Sequence, residues 1–189
     1  MNENISMKGF AAFCGSLRVL RYMIINNVDI DRSTIWRSVI GGDEQMIGFL
    51  SEQGHSFDNQ LEHAVRCHHN KIGFWLMENY KCEEIDLPFC VYFFNTEMFL
   101  HFLIDRERNI NETDWAGRTS VIYASQLNNI PIAEFLVSKE ETEIRLEDDY
   151  GKTAIDFAIT KEMREILTKS QSTRITLMVN SKRKMIYSR

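Results

Sequence analysis

His63, Cys67, His68 and His69 crowd one short stretch, and all are metal-ligating types. His63 and Cys67 stand at i and i+4, so a helix would carry both on one face. A zinc site needs a third and a fourth ligand. His68 and His69 fall where a turn between helices is expected, and neither Cys82 nor Cys90 lies in a register that completes the set. The expectation is therefore no metal and no cofactor, with solvated turn histidines. Glu140, Glu141, Glu143, Glu147, Asp148 and Asp149 form an acidic run that lacks the alternating oxygen ligands and central glycine of a calcium loop. It is expected to be a solvated loop between structural repeats. Lys182-Arg183-Lys184 is a short basic patch with no aromatic platform beside it, so no nucleic-acid partner is expected. With no phosphate-binding loop, no G-x-S-x-G and no H-E-x-x-H, the chain reads as a binder and not as an enzyme.

The elements that position these residues follow from composition and periodicity. The chain has 189 residues, of which 44% are hydrophobic and 26% charged, with two prolines: enough to bury a core, and too few corner residues for a many-stranded fold. No apolar run approaches a membrane span and the first thirty residues lack a secretory pattern, so no membrane partner and a cytoplasmic location are expected, the nucleus being the other compartment. The four cysteines, without C-x-x-C spacing, read as reduced thiols. Charge is uneven: residues 169–189 carry six basic residues and no acid, leaving 16 basic against 27 acidic residues, net −11, in the body.

A beat runs through that body. Tyr22-Met23, Phe49-Leu50, Trp75-Leu76, Phe102-Leu103 and Phe135-Leu136 each pair an aromatic with a long apolar residue, at steps of 27, 26, 27 and 33. Spacing of that length marks stacked repeats that bury their apolar faces only against neighbours. Each beat sits on a helical stripe: Val19, Leu20 and Met23; Met46, Ile47 and Leu50; Ile72 and Leu76; Phe99, Leu100 and Leu103. Upstream of each stripe lies a shorter apolar segment with small residues, such as Ala11-Ala12, Ser38-Val39 and Ala64-Val65, set off by Gly15 or Gly41-Gly42. Two antiparallel helices per repeat, all-α, is the economical reading. Cys14 and Cys67, two repeat steps apart, would then lie too far from each other for a disulfide.

Ala11-Ala12-Phe13-Cys14-Gly15-Ser16-Leu17-Arg18-Val19-Leu20, followed by Asn27-Val28-Asp29-Ile30-Asp31, resembles the helix pair and exit loop of an ankyrin repeat. Asp114-Trp115-Ala116-Gly117-Arg118-Thr119 and Asp148-Asp149-Tyr150-Gly151-Lys152-Thr153 both fit the D-x-x-G-x-T that opens such a repeat. Ser120 and Ala154 stand where the family has proline, and Ile122 and Asp156 where it has histidine, so the usual Thr–His hydrogen bond is lost; Thr153 and Asp156 retain a capping box. The first four repeats lack the projecting finger and resemble the abbreviated ankyrin domains of unknown function found in protozoan parasite proteins. The resemblance implies an ankyrin-like α-solenoid over residues 1–168, with abbreviated repeats over about 5–111, longer ones over about 112–168, and a basic tail at 169–189.

It also implies a function: protein–protein interaction by a monomer, through the concave face and finger tips. The finger positions are Trp115, Arg118, Asp149 and Lys152. The concave slots are Phe13 with Cys14, Ile40 with Gly41, Arg66 with Cys67, Phe93 with Phe94, and Gln126 with Leu127. The competing readings are a targeting or regulatory arm derived from a longer protein, the sequence starting inside a first repeat, and an enzyme without a recognisable motif. The basic tail is expected to dock on the acidic run if Ile175, Leu177, Met178 and Val179 dock with it.

Overall fold

The computed structural model describes residues 6–169. The basic tail, Lys182, Arg183, Lys184 and the expected tail docking lie outside the described residues. Described secondary structure is helical, with one isolated bridge between Thr113 and Thr119. The chain divides into two compact units, Met1–Ile85 and Asp86–Arg189, and each is built from helix pairs.

The first unit holds α1 (Met7–Phe13) with α2 (Leu17–Ile25), α3 (Arg32–Gly41) with α4 (Glu44–Glu52), and α5 (Leu61–Arg66) with α6 (Asn70–Asn79). First helices stack on first helices, α1 on α3 and α3 on α5, and each second helix packs on its own partner. Small residues at the stacking face allow the close approach: Ala11, Ala12, Ser38, Val39, Ala64 and Val65 are all buried. A Cβ on Gly41 would run into the backbone carbonyl of Phe13. The stripes read from sequence are buried on α4 (Met46, Ile47, Leu50) and α6 (Ile72, Leu76), whereas on α2 only Leu20 is, and Tyr22 is 70% exposed.

The second unit holds α7 (Leu87–Tyr92) with α8 (Thr96–Leu100), α9 (Ser120–Gln126) with α10 (Ile130–Ser138), and a 3₁₀ turn (Ala154–Phe157) with a helix over residues 161–169. Starts are set by side-chain caps: Asp86 accepts from Phe89 N at 2.7 Å, and Asn129 from Ile132 N at 3.4 Å, with Pro88 and Pro131 in first turns where an amide is not needed. Thr153 and Asp156 form the expected capping box, on a single 3₁₀ turn. Lys161, Glu162, Arg164 and Glu165 are exposed, while Met163 and Leu167 are buried.

The turn inside each pair fixes the register. Gly15, Gly42, His68, Phe94 and Asn128 all have positive φ, and the residue after four of them closes the turn by donating its amide five residues back: Ser16 to Ala11, His69 to Ala64, Asn95 to Cys90, Asn129 to Ala124. Counting from those turns corrects the fourth repeat by one residue. Its buried stripe is Met98, Phe99 and Phe102, and not Phe99, Leu100 and Leu103. Phe102 fills the slot that Leu50, Leu76 and Leu136 hold elsewhere. The other beat residues lie on second helices, whereas Phe102 lies just past α8, in the leucine slot. The helix continues in a π-helical turn over His101–Asp105, where Arg106 N reaches back five residues to His101 O.

Apolar–polar pairs in the exit loops latch neighbouring layers. Asp58 Oδ1 accepts from Lys81 N at 3.0 Å in the first unit. In the second, Asn111 donates to Glu141 O and accepts from Glu143 N, both at 2.7 Å. No described helix is long and apolar enough to cross a membrane.

Candidate partner-binding groove

The two D-x-x-G-x-T segments fold into matching fingers, closed by their aspartates. Asp114 Oδ1 accepts from Ala116 N and Arg118 N, each at 2.9 Å, and Asp148 Oδ1 does the same for Tyr150 N and Lys152 N. Gly117 and Gly151 sit at φ near +70°, the left-handed conformation that their turns require. The fingers touch through Asp149 N donating to Ala116 O at 3.1 Å. Asp148 is therefore a buried structural residue, 5% exposed, and not part of a solvated loop. Burial pushes its carboxyl up, but the amides of Lys152 and Tyr150 and the charge of Arg118 outweigh that and hold it below the usual carboxylate value.

This framework positions the first finger beside α7 and α9. Arg118 is held by Asp148 at 3.5 Å, with its guanidinium 5.7 Å from the Tyr123 ring centre and 5.4 Å from that of Phe157. Tyr123 donates its hydroxyl to Asp114 Oδ2 at 2.6 Å; burial first, then Asp114, pushes its phenol up to about 12. Between finger and helices lies an open groove of about 420 Å³. Phe89, Tyr92 and Phe93 come to it from α7 and its end, Trp115 and Asp114 from the finger, Tyr123 and Gln126 from α9. The rings are mutually packed: Phe89 and Phe93 centres are 4.7 Å apart, Tyr92 and Phe93 4.9 Å, Tyr92 and Tyr123 5.4 Å in an edge-to-face pair. Asp86 stands at the start of α7 on the same groove, and burial, then repulsion from Asp114 and Glu112, raises its carboxyl against the pull of the Phe89 amide.

Of the residues expected to meet a partner, Phe93, Trp115, Arg118 and Gln126 come together here. Leu127 is half-buried and does not line the groove; Asp149 and Lys152 are exposed on the second finger, Lys152 with its ammonium 5.6 Å from the Phe157 ring centre. Phe94 is displaced from its expected slot by the same one-residue shift that moved the stripe. Tyr92 and Phe93 occupy the positions of Phe13 with Cys14, and Phe94 falls in the turn, 52% exposed at φ 57°. Phe13, 45% exposed, and Arg66, within 3.6 Å of Glu62, lie at the ends of α1 and α5 in the first unit. Phe89, Tyr92, Tyr123 and Asp86 are not among the residues expected to meet a partner, and Asp114 is expected only as the opening residue of a finger. Alignment on the turn residues instead of the aromatic beat would have placed Tyr92 beside Arg66 and Gln126.

Of the histidine cluster, His68 is exposed in its turn as expected, and His63 and His69 are half-buried. His63 lies against Trp36 with centres 5.6 Å apart, its imidazole pKa lowered first by burial, and His69 Nε2 reaches Ile40 O at 2.9 Å. Among the described residues no group of His, Cys, Asp or Glu is placed to hold a metal ion.

Residues 87–175 match the family model for ankyrin repeats (three copies), and residues 25–102 match that of a domain of unknown function, DUF3447. Among solved structures, the human ASB11 ankyrin repeat domain is similar, with a TM-score of 0.61 and 16% identity over 87% of this chain and 97% of that one. At that identity the likeness is one of fold. No curated protein matches the sequence.

Proposed function

Ankyrin repeats build this chain, and on that premise we propose that it is a protein-interaction module whose contact surface is the groove between α7, α9 and the first finger. The observation that carries this is Trp115. It is 91% exposed on a hairpin whose backbone is pinned by Asp114 and Asp149, beside a groove walled by aromatic rings. A large aromatic held rigidly in water loses little entropy on binding, and such residues dominate interface energetics. The titratable groups around it have structural partners: Asp86 caps α7 through one carboxylate oxygen, and Tyr123 is bonded to Asp114. Their shifts thus have structural causes, which favours contact over catalysis. Tyr92 and Phe93 belong to the same surface, and the second finger's Asp149 and Lys152 extend it. In this proposal residues 1–168 act as the repeat domain and 169–189 as an appended tail.

The test is affinity capture from native lysate with wild type, Trp115→Ala and Tyr92→Ala in parallel. Trp115→Ala is expected to change stability by less than about 0.5 kcal/mol, because the side chain has no core to leave, and to abolish retention of the partner. Equal retention of every captured protein by all three forms would place the contact surface elsewhere.

A further inference from the structure

We infer that the groove between α7, α9 and the first finger receives a lysine or arginine side chain of a protein partner. This rests on the interaction reading and names the chemistry of what enters. The aromatic rings of Phe89, Tyr92, Phe93 and Trp115 line the groove, and Asp86 and Asp114 line it with them. Ring faces carry negative potential and attract an ammonium or guanidinium within about 6 Å. The one cation already lining the groove, Arg118, is matched by Asp148, so the two carboxylates leave the groove negative. Asp114 spends both oxygens on the finger and on Tyr123, whereas Asp86 gives one oxygen to the Phe89 amide.

Charge decides between occupants. An acidic side chain would meet two carboxylates, and an apolar one would strip water from Asp86 without supplying a counter-charge. A cation satisfies both the rings and the acid. Burial first, then Asp114 and Glu112, raises the Asp86 carboxyl against the pull of the Phe89 amide and of Arg108. Arg118 shows the same pairing built into the molecule: a guanidinium near the Tyr123 and Phe157 rings with an aspartate partner. At about 420 Å³ the groove falls within the roughly 300–1,000 Å³ range of clefts that take small groups.

The experiment titrates the full chain with four capped tripeptides, acetyl-Gly-X-Gly-amide with X as Lys, Arg, Leu or Glu, and follows the Trp indole amide signals by NMR. The Trp115 signal is identified by its loss in Trp115→Phe. The Lys and Arg peptides are expected to move it saturably, the Leu and Glu peptides not, and Asp86→Asn to weaken the cationic peptides several-fold. Asparagine caps a helix as well as aspartate, so this variant keeps α7. Equal response to the Leu peptide overturns the cation assignment while leaving the contact surface intact. No response to either cationic peptide at tens of millimolar overturns it as well, and the capture experiment decides separately whether the surface binds at all. If substituting Lys182, Arg183 and Lys184 by Gln shifts the Trp115 signal, the occupant is this chain's own tail. If the signal moves with protein concentration, the occupant is a second copy. Either result overturns the partner assignment.

Discussion

Tyr123 joins finger to helix with one hydroxyl. Its bond to Asp114 Oδ2 at 2.6 Å and its edge contact with Tyr92 make it the residue on which groove and finger meet. Replacing it by Phe removes the donor and leaves the aspartate oxygen short of a partner, at a cost of about 1–3 kcal/mol by urea unfolding. The phenol also sets an alkaline limit. Its pKa in the folded chain, about 12, is above the ordinary 10, so the folded state keeps a proton that the unfolded chain releases. That contribution is complete below pH 10 and is lost as pH rises towards 12. Cys90, pushed from 9 to about 12 mainly by burial, acts in the same direction from a lower starting pH. Urea midpoints measured from pH 9 to 11 should fall in wild type and fall less in Tyr123→Phe.

Helix packing supplies a pair of opposite predictions. Gly41 and Gly48 both lie in helices, where alanine is normally better by about 1 kcal/mol. On α3, however, a Cβ at Gly41 would meet Phe13 O, a backbone atom of α1 that cannot step aside. Gly48 on α4 has nothing within 4 Å of that position. Gly41→Ala should lower stability by about 1–3 kcal/mol, and Gly48→Ala should raise it by up to about 1 kcal/mol. Thermal melts of the two variants in parallel check both signs. The α7–α8 turn gives a further case: Phe94 stands where the other repeats have Gly, Gly, His and Asn, and it holds φ 57° while half exposed. Phe94→Gly should therefore stabilise, by about 1 kcal/mol in thermal melts, and if the ring meets a partner that gain comes with a loss in capture.

Over the whole molecule, stability belongs to layers. Leu50 in the first unit and Leu136 in the second are fully buried in equivalent slots of their second helices. Truncating either to Ala should cost about 2–5 kcal/mol. Because each repeat is held by its nearest neighbours, the loss should appear first as faster amide exchange in the unit that carries the substitution. Uniform acceleration through residues 6–169 in either variant would instead mean one cooperative block.

The helix pairs, the capping residues Thr153 and Asp156 and the ankyrin-like fold were legible in the sequence, because each is written in contacts between residues close along the chain. So was the exposure of Trp115, since a residue at a hairpin tip has no core to enter. The register of the fourth repeat was not, because periodicity cannot distinguish Phe102 in an aromatic slot from Phe102 in a leucine slot; the turn at Phe94 decides it, and the burial of Met98, Phe99 and Phe102 reveals it. The groove was hidden for the same reason. Asp86, Tyr92, Asp114 and Tyr123 are up to 37 positions apart, and what they share is a surface made by the stacking of α7 on α9. Local sequence sets which helices form; which side chains face one another across them is set by the layer they pack against.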